Sequence, residues 1–226
     1  MKLTTPDVIA LFDLDRTLLS IDADEAWVEF LLDEAALDRS RFEPAMRDVS
    51  ARYGSGEIGI YEFCEFYLST LAPHEPVKLG AWRARWLVDR IFPAISAAAR
   101  DLLAKHRTAG DVMVLTTAAS RFLVAPIAAN LGFEHLIATE AAMAAGRYTG
   151  EAEGTPNMRE GKIARLDAWL AGRGTTLAAF ARSWFYSDSR NDIPLLSRVT
   201  DPVAVNPDPT LAALAREKGW PVLQIR

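Results

Sequence analysis

The sequence predicts an α/β protein: a doubly wound, mostly parallel sheet with a helical insertion between its first and second strands. Three observations predict it. Residues 8–12 and 112–117 are apolar runs without helical spacing, as strands buried on both faces require. From Pro93 onward, helical and strand-like stretches alternate, a rhythm that packs helices on both faces of a parallel sheet. Between Leu19 and Pro93 the pattern is helical only, so that stretch stands outside the alternation.

The first strand ends abruptly in Asp13-Leu14-Asp15. In the insertion, apolar residues recur at three and four from Ala26 onward, over 61–71 and over 82–91, which reads as amphipathic helices. Gly54-Ser55-Gly56 and Ala72-Pro73-His74-Glu75-Pro76 break them. Trp27, Trp82, Trp86, Phe63 and Phe66 are expected to pack this bundle, with Cys64 among them as a small hydrophobe. After Pro93 come a helix over 95–106, a strand over 112–117, and a helix over 122–131 that Gly132 can end. A third strand covers 136–139, and Gly146-Arg147-Tyr148-Thr149-Gly150 reads as a tight hairpin. Ile163, Leu166, Trp169 and Leu170 mark a helix face ending near Gly172, and 184–186 and 202–205 read as strands. Asp208 as N-cap, Pro209 behind it and Gly219 past the end frame a last helix, with 221–225 closing as an edge strand.

The chain has 226 residues, half of them hydrophobic, enough for one sizeable core or a core plus a small insert. A net charge of −5 leaves no basic footprint, which excludes nucleic acid as the main partner. The single cysteine, Cys64, permits no internal disulfide, and no Cys/His spacing suggests zinc. Residues 1–7 carry no leader pattern, and no window is apolar enough for a membrane span, so a cytoplasmic setting is expected.

Ligands of open α/β sheets bind beyond the carboxyl ends of the strands, where Asp13 and Asp15 lie. Two residues with one between them face the same side, so both acids can serve one hard divalent cation. D-x-D alone also fits a glycosyltransferase metal–nucleotide site or a solvated strand end. Three further features fall at strand ends or helix starts: Thr117, Lys162, and Asp188 with Asp192. Together they have a chemical logic. A carboxylate can attack phosphorus only when the phosphoryl charge is screened, so a nucleophilic Asp13 needs a cation and fixed donors. Asp15 would protonate the leaving oxygen and later deprotonate water. Asp188 would complete a Mg²⁺ shell with Asp13 and the Asp15 carbonyl. Thr117 and Lys162 would hold the phosphoryl oxygens. Asp192 would touch that shell, pair with Lys162, or serve its helix N-terminus.

Asp13-Leu14-Asp15-Arg16-Thr17-Leu18, Val114-Leu115-Thr116-Thr117, Glu160-Gly161-Lys162 and Ser187-Asp188-Ser189-Arg190-Asn191-Asp192 resemble the four motifs of the haloacid dehalogenase superfamily. With Asn206-Pro207-Asp208 and Gly219-Trp220-Pro221, the chain is similar to the phosphoserine-phosphatase-like branch, subfamily IB. The resemblance implies a Rossmann-like core over 1–20 and 93–226 and an inserted helical cap of the C1 type over 21–92. It also implies that Asp22, nine positions after the nucleophile, contacts substrate; a charge at a helix N-terminus near Asp24 and Glu25 is the equal alternative. Arg16, Ser187, Ala118 and Ala119 are departures, standing where the family has small residues or glycine.

The expected activity is Mg²⁺-dependent hydrolysis of a small phosphorylated metabolite, O-phosphoserine or histidinol phosphate being the substrates the branch suggests. Phosphotransfer to a second alcohol is a variant. A response-regulator receiver is the alternative from another class, and it lacks both the second Asp and the insert. A monomer or homodimer is expected. Strand alternation turns Thr116 away from the side Thr117 faces. His74, His106 and His135 are expected at the surface or at helix ends. Arg39, Arg41, Arg47, Arg52, Arg83 and Arg85 are expected on a solvated face.

Overall fold

A computed structural model describes residues 8–225; the stretch 1–7, read above for a leader pattern, lies outside the described residues. The sheet is ordered β4-β3-β2-β1-β5-β6-β7. Its strands are β1 Val8–Phe12, β2 Val112–Ser120, β3 His135–Ala144, β4 Arg147–Glu153, β5 Arg182–Ser187, β6 Asp201–Val205 and β7 Val222–Leu223. All neighbours run parallel except β3 and β4.

Alternation along the central strand sorts the core into two layers. Ala10 and Phe12 face one way with Met113, Leu115 and Tyr186. They pack on α5 Ala97–Ala109 and α6 Arg121–Asn130 through Leu102, Leu103, Leu123 and Ile127. Ile9 and Leu11 face the other way with Val112, Val114 and Phe185. They meet Leu166, Leu195 and Leu211 of α7 Glu160–Ala171, α8 Ile193–Leu196 and α9 Pro209–Lys218.

The insertion holds α1 Ala23–Asp33, α2 Arg39–Ser55, α3 Ile60–Leu68 and α4 Pro76–Trp86, the last continuing through a π turn to Ile91. Trp27, Leu31, Leu79 and Trp86 join the first layer of the core, with Trp27 and Trp86 meeting edge to face. The periodicity above does not single out α2, because Tyr53 is its only buried residue and no apolar stripe exists to be read. Its ends define it instead: the Asp38 side chain accepts from the Ser40 N–H, and Gly56 closes it at φ 80°.

Three other expectations are corrected. The β3–β4 turn lies at Ala145-Gly146, both at positive φ, and 147–150 belongs to β4. Gly150 is there for space, since a Cβ would come within 3.1 Å of the Ser69 backbone. The closing edge strand has only two residues. His106 sits in the last turn of α5 as expected, but it is buried, its ring nitrogens 2.6 Å from Asp111 and 2.8 Å from the Tyr186 hydroxyl. Among the described residues, no helix is long and apolar enough to cross a membrane.

Candidate active site

Strand register brings the chemistry together. Phe12 pairs with Leu115 on one side and Tyr186 on the other, so the residues after each strand emerge at one edge. The Asp13 N–H still donates to the Tyr186 carbonyl at 2.9 Å. Beyond it the chain folds into a tight loop in which the Thr17 and Leu18 N–H groups return to the Leu14 carbonyl and Arg16 takes φ 56°. That loop turns Thr17 back toward Asp13.

The Thr17 hydroxyl lies 3.0 Å from Asp13 Oδ2 and 3.3 Å from Asp188 Oδ1, and it accepts the Asp188 N–H at 3.0 Å. Lys162, the third residue of α7, is 2% exposed and donates to Asp13 Oδ1 and to Asp192 Oδ2, both at 2.7 Å. Its position depends on Gly161, where a Cβ would meet the Pro156 carbonyl at 2.1 Å. Ser187, one of the departures, donates to Asp192 Oδ2 at 2.7 Å. Asp15 accepts from the Ala23 N–H at 2.7 Å and from the Thr117 hydroxyl at 3.1 Å, which fixes both of its oxygens. Thr116 faces away and takes a bond from Asn157.

Burial sets the charge states. It drives Asp15 well above the carboxylate range, helped by the charges of Asp22, Asp13 and Asp24. It raises Asp13 to about 6 against the pull of Lys162, and Asp188 to about 8 with Asp13 and Asp192 adding to the effect. Lys162 is held protonated: burial opposes its charge, but Asp13 and Asp192 outweigh it.

A cavity of about 360 Å³ opens over this edge. Its core wall carries Asp13, Lys162, Asp188 and Asp192, and its insert wall carries Asp22, Asp24, Glu25, Tyr53, Phe63 and Tyr67. Phe63 therefore serves the site as well as the bundle packing. Asp22 caps α1 by accepting the Glu25 N–H, so the helix role and the cavity position coexist. Arg16 lines the cavity and pairs with Glu25 at 2.5 Å. The Thr117 side chain lies behind the wall, which Ala118 and Ala119 form. None of the six insertion arginines named above lines it.

The donors at the core wall fit a small hard cation. They are all oxygens; Asp13 and Asp188 converge on one hydroxyl, and the carboxylates of Asp13 and Asp192 share the single ammonium of Lys162. Among the described residues, no three His, Cys, Asp or Glu side chains are grouped to cage an ion by themselves.

The family model of haloacid dehalogenase-like hydrolases matches residues 10–197. The chain belongs to this family. The hydrolase is 39% identical over 219 residues to a protein of Neisseria meningitidis serogroup C named histidinol-phosphatase, covering 96% of this chain and 99% of that one. It is 38% identical over 127 residues to phosphoserine phosphatase SerB1 of Mycobacterium tuberculosis, covering 56% of this chain and 40% of that one. A protein of unknown function from Bordetella pertussis Tohama I superposes with a TM-score of 0.94 at 45% identity, covering 98% and 100% of the two chains. A phosphoserine phosphatase carrying a phospho-aspartyl intermediate analogue superposes at 0.68 with 17% identity, covering 96% and 93%, which is a likeness of fold. The hydrolase is thus an enzyme, a phosphoric monoester hydrolase, and the receiver reading is set aside.

Sequence reasoning assigned no role to four residues of the site. Thr17 carried a signal, a hydroxyl four positions after Asp13. Asp24 carried one too, an acid two positions after Asp22. Ser187 was visible only as a departure. Asn157 carried none: its buried amide donates to Thr116 Oγ1 and to the Thr117 and Ile137 carbonyls, clamping the end of β2, and a lone asparagine gives no pattern.

Proposed function

We propose that this hydrolase is a Mg²⁺-dependent phosphatase of histidinol phosphate or a closely similar amino-alcohol phosphomonoester, acting through an aspartyl-phosphate on Asp13. The observation that carries the reading is the buried Lys162 bonded to Asp13 and Asp192 at 2.7 Å, with Asp15 held beside them. A carboxylate fixed by an ammonium at a cavity floor is aimed, not merely solvated.

In the proposed reaction an Asp13 oxygen attacks phosphorus and the bond to the leaving alkoxide breaks. Asp15, kept protonated by burial, gives that alkoxide its proton. The resulting Asp15 carboxylate takes a proton from water, the water oxygen attacks phosphorus, and the bond to Asp13 breaks to release phosphate. Lys162 neutralises charge on the phosphoryl oxygens, while Asp192 and Ser187 hold Lys162 in place. Thr117 orients Asp15. Asp13, Asp188 and the main-chain carbonyl of Asp15 would hold Mg²⁺, which supplies charge neutralisation to the phosphoryl group.

Two observations support the substrate. The relative named histidinol-phosphatase matches over nearly the full length of both chains. The insert wall also presents Asp22, Asp24 and Glu25, which favour a cationic leaving group and oppose the carboxylate of O-phosphoserine.

The test is phosphate release from both compounds over a Mg²⁺ titration, with Asp13→Asn as control. Histidinol phosphate should be the better substrate, and the variant should lose about 10³-fold or more in kcat while melting as a folded protein. Release from neither compound, or an active Asp13→Asn, overturns the proposal.

A further inference from the structure

Behind the active-site cavity, at the seam of α1, α3 and the end of β2, lies a second cavity of about 20 Å³. Asp24, Phe63, Tyr67 and Ala118 line both, so the two cavities adjoin. Ser120 and Thr139 close its far side.

Ser120 is the anomaly. It occupies the N-cap position of α6, where a serine hydroxyl ordinarily accepts a first-turn N–H. Here the residue is 4% exposed and its hydroxyl has no hydrogen-bond partner among the described residues. Its backbone N–H favours the ionised form of the neighbouring Asp24 carboxyl, against burial. A buried hydroxyl left unsatisfied costs free energy unless a visiting group completes it. The Thr139 hydroxyl, by contrast, is already used, accepting the Asn157 N–H at 3.0 Å.

The size and lining select the visitor. The volume suits one water-sized group, and a primary ammonium has that size. Asp24 supplies a carboxyl at the shared wall that a bound ammonium would ionise, Ser120 a hydroxyl lone pair, and Phe63 and Tyr67 aromatic surface that tolerates a cation. Asp22, which the family resemblance nominated for substrate contact, spends one oxygen on the α1 cap.

We propose that Asp24 and Ser120 form the ammonium-recognition site of this hydrolase: the primary amine of the leaving group enters the small cavity and donates to the Asp24 carboxylate and Ser120 Oγ, beside Phe63 and Tyr67. The proposal rests on the amino-alcohol phosphomonoester reading above and names the residues that enforce it. Both are specificity-determining residues; neither touches the phosphoryl group.

The experiment compares kcat/KM for histidinol phosphate with that for its des-amino analogue, imidazolylpropyl phosphate, and reads the ratio. The parent should prefer the amine by about 100-fold, as a site built to bond a polar group rejects the analogue lacking it. Asp24→Asn should collapse the ratio to within a few-fold of unity, and Ser120→Ala, the milder change, should lower it about tenfold. Melting curves establish that each variant folds. An unchanged ratio in Asp24→Asn overturns the proposal, as does a parent that treats both substrates alike; phosphatase activity would then stand and the cavity would hold structural water only. A ratio that collapses in Asp22→Asn and survives in Asp24→Asn moves recognition to the helix cap and also overturns it. A parent that releases phosphate from neither substrate removes the proposed function, and this proposal with it.

Discussion

The two walls of the cavity are held by different forces. On the core side, Asp13, Lys162, Asp192, Ser187, Thr17 and Asp188 form one connected and largely buried network, fixed at strand ends by sheet register. On the insert side, Asp22, Asp24, Glu25, Tyr53, Phe63 and Tyr67 ride on helices whose ion pairs lie at the surface, such as Arg85 with Glu34 and Arg52 with Glu57. Exposed pairs of that kind contribute little, whereas a buried ammonium with two carboxylates tolerates no missing member. On the proposed function, the positions that must not move fall to the sheet, and those that would discriminate between leaving groups fall to the helices.

The sharpest way to break this comparison is to remove one member of each network. Lys162→Met should leave Asp13 and Asp192 facing each other uncompensated, costing about 3–5 kcal/mol of stability and nearly all turnover. Arg85→Ala, on the exposed side of the insert, should leave both the melting temperature and kcat essentially where they were. Thermal melts and phosphate release on the two variants check the contrast. Equal responses would mean that the two walls are not held differently.

The contrast also explains what the sequence could disclose. β1, β2 and β5 were legible because a strand buried on both faces must be apolar throughout, and the chemical residues were legible because they interrupt such runs or open the next helix. Lys162 and Asp188 stand 149 and 175 positions from Asp13 in sequence, yet parallel register requires their neighbourhoods to meet. The insert was legible only where it packs on the core: α1 shows its apolar stripe through Trp27, Val28 and Leu31, while α2 shows none. Gly150 illustrates the limit, since a glycine needed for close approach to Ser69 reads the same as one needed for a turn. Asp24 illustrates another, because its proposed role depends on Ser120, 96 positions away, whose hydroxyl has no partner among the described residues.

A finer probe of the insert wall is the pH dependence of stability at Asp24. Burial, with the charge of Asp22 adding to it, raises this carboxyl to about 8. In the unfolded chain it titrates near its ordinary value of about 3.9. Between those two pH values the folded protein holds a proton that the unfolded chain has lost, so stability falls as pH rises through the window. Asp24→Asn cannot lose that proton. The two proteins should melt together near pH 4, the variant should pull ahead by a few degrees as pH approaches 8, and the gap should level off above it. Asp188, also raised but not by Asp24, acts alike in both proteins and cancels in the difference. A gap that is constant with pH would show Asp24 ionised in the folded state throughout.

The smallest effect concerns Cys64, the chain's single thiol, buried in α3 and lining the same small cavity. Burial pushes it up to about 12, so at pH 8 roughly 10⁻⁴ of it is thiolate, the only reactive form. A disulfide reagent should therefore label the folded protein far more slowly than a free thiol, and label one group per chain at once in denaturant. If the insert opens as a unit while the sheet stays closed, labelling should proceed faster than global unfolding allows, and Lys162→Met, which weakens the core, should leave that rate nearly unchanged. If labelling instead tracks global unfolding and accelerates in Lys162→Met, the insert and core open together. Rigidity of the chemical wall would then extend to the selective one, because Trp27 packed on Phe122 and Arg83 bonded to the Phe122 carbonyl couple them.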